Sequence, residues 1–362
     1  MAVRTVAGDR LPGLLADPSD LAPGDVVVVD GLPALSALAG GTPSPGTLPC
    51  IVVGRDSWGD LPLAAATGTP GDTWGEGLEV AAGHDVHRGT AGPEPGDPRL
   101  GMVDVVADGD ACEAVIGAAA RHPLAATALA VHLRDAARRS VAGGLVAESA
   151  LYSALQAGPE AAAWRAAHPP RSRPAPTGPA VRVERTGDEL QITLARPAVR
   201  NALGVQVRDG LLDALAVARA DPRLRVVLAG DGSAFCAGGD LDEFGTFPDP
   251  ATAHLVRLAR SIGAALAEIG DRVTARVHGP CRGSGVELPA FCGRVEAAAD
   301  ATFALPELDL GLVPGAGGTV SLPRRIGRHR TAWLALTGRA LDAPTARDWG
   351  LVDTIDPPTA QD

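Results

Sequence analysis

The sequence contains no lysine; all 32 of its basic residues are arginine. That absence excludes a phosphate-binding P-loop lysine, a Schiff-base lysine and a Ser–Lys dyad. Aromatic residues are scarce at 3%, with a single tyrosine, so the core has to be built from alanine, valine and leucine. The five cysteines, Cys50, Cys112, Cys236, Cys281 and Cys292, form no CxxC pair, and their odd number suits a reduced protein better than a disulfide framework. No HExxH or Cys/His cluster points to zinc. No GxSxG marks a nucleophile elbow, and no GxGxxG leads from a strand into a helix. The opening residues lack a signal-peptide core, and no apolar run approaches the roughly 18 residues of a membrane span. A cytoplasmic protein without a metal site is the expectation.

What is present fits a globular protein. The 362 residues are enough for two or three domains, and 46% of them are hydrophobic. A net charge of −11 argues against a general partner in nucleic acid or an anionic membrane. One composition break stands out: Pro169–Ala180 holds five prolines and reads as an extended linker. It separates an N-terminal domain, 1–168, from a second domain, 181–362.

In the first domain, Asp25–Asp30, Cys50–Gly54 and Met102–Val106 read as strands. Residues 55–100 are rich in turn formers and carry no assignable pattern. From Asp110 to Ala167 the spacing is helical, and Gly143-Gly144 is expected to break it. The second domain alternates strand and helix. A hairpin is expected over 181–195, helices over 204–220 and 251–269, and strands over 224–230 and 273–279. The fold class is therefore α/β.

Three glycine-rich turns in the second domain concentrate the chemistry. They are Phe235-Cys236-Ala237-Gly238-Gly239-Asp240-Leu241, Gly283-Ser284-Gly285-Val286-Glu287-Leu288, and Leu305-Pro306-Glu307 followed by Gly315-Ala316-Gly317-Gly318-Thr319. Glycine lets a backbone approach a ligand closely. Two N–H groups aimed at one oxygen make an oxyanion hole. Two of the three turns also carry a glutamate.

Taken in order with Arg200-Asn201-Ala202-Leu203 and Leu322-Pro323-Arg324-Arg325-Ile326-Gly327, these turns resemble the crotonase, or enoyl-CoA hydratase/isomerase, superfamily over residues 181–353. The resemblance implies a spiral of ββα units in two stacked sheets, acyl-CoA ligands, no cofactor beyond the coenzyme A of the substrate, and a homo-oligomer, trimer or hexamer. By motif, Gly239 and Ser284 supply the oxyanion N–H groups, although many relatives carry Gly or Ala at the Ser284 position. Glu287 and Glu307 match the two glutamates that hold water, and Gly315 matches an N–H that positions it. Ala202, Ala237, Gly238, Asp240 and Gly283 fall in the CoA-binding segments. Arg196 and Arg200 are the candidates for the pantetheine or phosphates. Both glutamates together favour hydration of a 2-enoyl-CoA to a 3-hydroxyacyl-CoA, with Glu307 as acid and Glu287 as base. Isomerisation, thioester hydrolysis, cofactor-free oxygenation and non-catalytic acyl-CoA binding remain the alternatives.

Family members continue past the Gly-Leu-Val-Asp segment into covering helices, whereas Gly350-Leu351-Val352-Asp353 is followed here by little sequence. Upstream, Leu100–Val106 resembles that same segment, and Gly144-Leu145-Val146-Ala147-Glu148 through Tyr152-Ser153 resembles the terminal helix. Residues 1–168 thus read either as a degenerate crotonase-like unit or as an unrelated α/β scaffold. On the first reading, helices within 111–167 complete the site from the same chain or a neighbour, and Arg134, Arg138 and Arg139 reach CoA phosphates. The lone histidines and Tyr152 read as residues without a chemical role.

Overall fold

Runs of valine build the first sheet. In this computed structural model, which describes residues 1–7, 10–11, 14, 21–22, 24–30, 50–55, 103–172 and 178–356, four strands pair in parallel. They are β1 (Val3–Ala7), β2 (Asp25–Asp30), β3 (Cys50–Arg55) and β4 (Val105–Ala107), in that spatial order. Val26, Val28, Ile51 and Val53 face the main core, while Val27, Val29, Val52 and Val106 face a smaller second cluster. A parallel strand covered on both faces shows unbroken hydrophobicity rather than alternation.

The fourth strand begins later than its valines suggest, because Asp104 is committed elsewhere. Arg134 donates to both its carboxylate oxygens at 2.8 Å, and the Val52 N–H donates to one of them at 2.8 Å. Arg134 is therefore a buried structural cation and not a ligand for phosphates. Arg139 donates to the His132 carbonyl and pairs with Asp135, which likewise takes it away from that role. Arg138 is an exposed partner of the same Asp135. Met102 and the unassigned stretch 56–100 lie outside the described residues.

Four helices follow: α1 (Gly109–Arg121), α2 (Pro123–Arg134), α3 (Val141–Gln156) and α4 (Pro159–Ala167). Gly143-Gly144 does not break a helix; it sits in the first turn of α3. The break comes earlier, at a 3₁₀ turn over Ala136–Arg138, and Ser140 restarts the helix by accepting from the Gly143 N–H. Gly144 is there for close approach. A Cβ on it would lie 2.9 Å from Val320 Cγ2 in the second half of the chain.

That second half repeats one unit. A hairpin, β5 (Val181–Thr186) and β6 (Glu189–Leu194), leads into α5 (Val205–Ala220) and β7 (Arg225–Gly230). Next come α6 (Pro250–Ala259) and α7 (Ile262–Ile269), two helices where the pattern suggests one, because Ser261 caps a new start. Then β8 (Val273–Val277), β9 (Pro280–Arg282) and the short α8 (Ser284–Glu287) are followed by β10 (Arg294–Ala298), β11 (Thr302–Ala304) and α9 (Gly318–Ile326). The described chain closes with α10 (Arg328–Thr337), β12 (Leu341–Asp342), α11 (Ala343–Asp348) and β13 (Thr354–Asp356). Strands β8 and β10 enter a six-stranded sheet ordered β13-β10-β8-β7-β6-β5, while β9 and β11 enter a three-stranded one ordered β12-β11-β9. The β8-β9 and β10-β11 pairs thus each give one strand to each sheet, and Cys236 adds a parallel bridge to Cys281.

One hydrophobic core runs from Val26 in the first half to Val352 in the second. Helix α10 packs on α1 and α2, and α9 packs on α3. Substituting Gly144→Leu drives a side chain into Val320 and separates α3 from α9. Overpacking of this kind costs about 1–3 kcal/mol. Urea unfolding of the variant is expected to show a midpoint lowered accordingly, with an unchanged slope.

Candidate active site

Asn201 fixes the first turn. It is wholly buried, with its Oδ1 accepting from the Arg196 N–H and its Nδ2 donating to the Asp231 and Ala234 carbonyls. The chain beside it runs parallel to the turn: the Leu203 N–H donates to the Gly238 carbonyl and the Asp240 N–H to the Leu203 carbonyl. Those bonds use the residues flanking Gly239 and leave its own N–H facing the other way. In the second turn, Gly283 adopts φ 47° and its N–H donates to the Ala304 carbonyl. Ser284 then opens α8, where a first-turn N–H has no partner within the helix. Among the described residues, neither the Gly239 nor the Ser284 N–H has a hydrogen-bond acceptor. Both residues line one cavity of about 230 Å³.

Glu287 and Glu307 open onto the same cavity. Glu287 is 2% exposed, and its Oε2 accepts from the Ala316 and Gly318 N–H groups at 2.8 Å each. Glu307 lies so close to Gly283 that a Cβ there would meet its Oε1 at 2.3 Å. The other oxygen of Glu307, Oε2, is buried without a hydrogen-bond partner. Gly315 lies under the ring of Tyr152, and a Cβ on it would meet the Tyr152 ring at 2.4 Å. Its N–H, like those of Gly239 and Ser284, has no acceptor among the described residues.

A third carboxylate reaches this place from the first half of the chain. Glu148 on α3 is 2% exposed and accepts from the Gly317 N–H at 2.7 Å, the Thr319 N–H at 2.8 Å and the Thr319 hydroxyl at 2.7 Å. Four consecutive N–H groups, 316 to 319, therefore alternate between Glu287 and Glu148. They are the orphan donors at the start of α9, where the helix dipole also favours negative charge. His132 continues the network, with its Nε2 at 3.0 Å from the Thr319 hydroxyl. That hydroxyl proton goes to Glu148, so His132 donates through Nε2. Four of the lone histidines have partners: besides His132, His254 Nδ1 meets the Ser149 hydroxyl at 2.8 Å, His168 Nδ1 meets the Trp164 carbonyl at 2.9 Å, and His329 meets the Val103 carbonyl.

Burial governs the charges of these groups. It pushes Glu148 up to about 7 against its hydrogen-bond donors, and Glu307 up to about 8. Glu287 is also pushed well up, by burial first and then by the neighbouring Glu307 and Glu148. Burial lowers His132 to about 4, which keeps it neutral.

The remaining sequence-identified residues are spread around this centre. Asp240 lines the cavity, but its carboxylate accepts from the Asp242 N–H and pairs with Arg196 at 4.0 Å. Ala202, Ala237, Gly238 and Gly283 do not line the cavity, although Ala202, Gly238 and Gly283 each adjoin in sequence a residue that does. The Ala237 N–H donates to the carbonyl of Arg200, a residue held at φ 51° with its side chain exposed. Glu148, Tyr152 and Arg257 join the cavity wall without having been singled out as site residues from sequence. Glu148 and Tyr152 do belong to the helix motif that resembles the family's terminal helix. Arg257 sits in a helix with no motif at all.

Linkage turns these shifts into a test. Between pH 6.5 and 8 the folded chain retains protons on Glu148 and Glu307 that the unfolded chain has released, so stability falls as pH rises through that window. Below 6.5 the depressed His132 acts in the opposite direction. The urea midpoint is expected to drop from pH 6.5 to 8, and to drop less in Glu148→Gln. An equal slope in the variant would contradict the assignment.

Residues 186–361 match the family model described as enoyl-CoA hydratase/isomerase. The 2,3-dehydroadipyl-CoA hydratase of Escherichia coli K12 is 36% identical over 176 residues, covering 48% of this chain and 68% of that protein. A probable enoyl-CoA hydratase of Mycobacterium tuberculosis is 37% identical, covering 46% of this chain and 64% of its own length. Among solved structures, an enoyl-CoA hydratase from Thermoplasma volcanium aligns with 34% identity and a TM-score of 0.46, covering 49% of this chain and 72% of that one. By its sequence relatives, this chain belongs to the enoyl-CoA hydratase/isomerase family, with its matching half in the C-terminal part.

Proposed function

We propose that the chain hydrates a 2-enoyl-CoA to a 3-hydroxyacyl-CoA. The observation that carries this reading is the grouping in one cavity wall of two backbone N–H groups without acceptors, at Gly239 and Ser284, with the carboxyl groups of Glu287 and Glu307. The thioester oxygen takes the two N–H donors, which stabilise the enolate-like charge that develops there. Losing one such donor typically costs about 10²–10³ in rate. Water enters between the glutamates, and the N–H of Gly315 is available to orient it. The hydroxyl adds to C3 and a proton goes to C2, so the reaction balances without an added redox group.

The three carboxyl groups titrate as a cluster, and the cluster carries protons at neutral pH. The placement of its negative charge follows the hydrogen bonds. Glu287 is pushed well up by burial and its carboxyl neighbours, but two N–H donors on one oxygen act against that, which suits it better than Glu307 to accept a proton from water. Glu307 has an oxygen with no donor and is pushed up to about 8, which suits it to deliver a proton to C2. The coenzyme A end is assigned to the Ala202 and Ala237–Gly238 edge, with Arg200 exposed beside it for phosphate. Arg196 is turned toward Asp240 and serves that loop instead.

The test is incubation of the full-length protein with crotonyl-CoA and a panel of longer enoyl-CoAs in ¹⁸O-labelled water, followed by mass spectrometry. One labelled water is expected in the product. The Glu307→Gln and Glu287→Gln variants should each lose about 10²–10⁴ in kcat. The rate should also fall above about pH 8, as Glu307 gives up its proton. Absence of any mass change across the panel would overturn the proposal.

A further inference from the structure

Three arginines line the cavity, and one of them is unlike the other two. Arg208 and Arg260 each pair with Asp209 at 2.8 Å. Among the described residues, no carboxylate lies within ion-pair distance of Arg257. Its partners are neutral: Nε donates to the Ser149 hydroxyl at 3.1 Å, Nη2 donates to the Ser153 hydroxyl, and the guanidinium carbon lies 4.6 Å from the centre of the Tyr152 ring. The same Ser149 hydroxyl also meets His254 Nδ1 at 2.8 Å. Withdrawing a guanidinium from water is costly unless an anion answers it. Hydroxyls and a cation–π contact offset only part of that cost. Burial holds Arg257 below the ordinary arginine value, against the pull of Tyr152 and of Glu148, which acts from beyond ion-pair distance.

The position of this cation identifies what it faces. Tyr152 touches both ends of the problem, because its ring edge abuts Gly315 while its face carries Arg257. Gly315 adjoins the turn that holds Glu287. Arg257 is thus one aromatic ring away from the carboxylate pair, on the acyl side of the cavity. A second uncommitted polar group follows on the same helix. Ser149, Tyr152, Ser153 and Gln156 recur at three- and four-residue spacing on one face of α3. Gln156 is 9% exposed, lines the cavity, and has its Oε1 buried without a hydrogen-bond partner. Gln156 lines the same cavity as Arg257 and can offer a carboxylate its Nε2 donor, while Arg257, with no ion-paired carboxylate among the described residues, binds such a group through two parallel hydrogen bonds.

We propose that the acyl group taken by this site carries its own carboxylate, so that the substrate is the monothioester of an unsaturated dicarboxylic acid, held at its far end by Arg257 and Gln156. This rests on the acyl-CoA reading above and narrows it to an anionic substrate class.

The experiment separates recognition from chemistry. Calorimetry on the full-length protein compares saturated thioesters of equal carbon number, glutaryl-CoA against pentanoyl-CoA and adipyl-CoA against hexanoyl-CoA, at fixed ionic strength. The carboxylate-bearing member of at least one pair is expected to bind tenfold or more tightly. That ratio should fall toward one in Arg257→Gln and be partly kept in Arg257→Lys. Each ratio is internal to one variant, so a general loss of fold does not imitate it. Equal or tighter binding of the neutral thioesters in both pairs, or a ratio that survives in Arg257→Gln, would overturn the proposal. Charge-selective binding without ¹⁸O uptake from the matching enoyl thioesters would sustain the anion receptor and remove hydration. Hydration with no charge selectivity would do the reverse.

Discussion

Everything at this site depends on how the start of α9 is held. Four successive N–H groups, from Ala316 to Thr319, would be left without acceptors by the helix itself. They are taken in alternation by Glu287 and Glu148. The two carboxylates come from opposite halves of the chain, and the same turn carries Gly315 toward the reacting position. One of the carboxylates that fixes the turn is thus assigned to the chemistry, while the other belongs to the fold. Crowding three carboxyl groups into one buried volume raises all of them, and the N–H donors then sort out which is ionised.

The glycines around the turn are a consequence of that crowding. Gly318 has no room for a Cβ, which would lie 2.6 Å from Glu287 Cγ, and Gly283 is closed in the same way by Glu307. Elsewhere in these turns the glycines make room for rings and backbone, at Gly239, Gly285 and Gly315, or adopt positive φ, at Gly238, Gly283 and Gly317. Ser284 fits the same scheme despite its departure from the family pattern. Its backbone supplies the N–H, and its hydroxyl turns aside to meet Cys236 Sγ at 3.5 Å.

Much of this was legible in the sequence, for identifiable reasons. Helix α5 and strand β8 are legible because one face of each is buried in a regular way, and β7 because its valines and leucine are buried in an unbroken run. The site residues of the second half were legible because their turns combine fixed glycines with fixed glutamates. What could not be read lies in contacts between distant segments. Gly143-Gly144 reads as a helix breaker until Val320 is seen pressing on Gly144. Arg134 reads as a candidate for CoA phosphates until Asp104 is seen to hold it. Arg257 has no motif around it, and what sets it apart from Arg208 and Arg260 is that, among the described residues, no carboxylate is ion-paired with it.

The bond from the Gly317 N–H to Glu148 joins residues 169 positions apart, and the Thr319 bond joins residues 171 apart. Loop closure over such distances is entropically unfavourable until other contacts have formed, and long-range contacts of this kind slow folding. A chain made from its N-terminus presents α3 well before the turn that α3 must grip. Until then Glu148 faces water as an ordinary carboxylate, ionised at neutral pH, and it must take up a proton or find its three donors as α9 docks. The step that completes the cavity is therefore a late one on the folding path, and it draws on the proton concentration of the solution in which the chain folds.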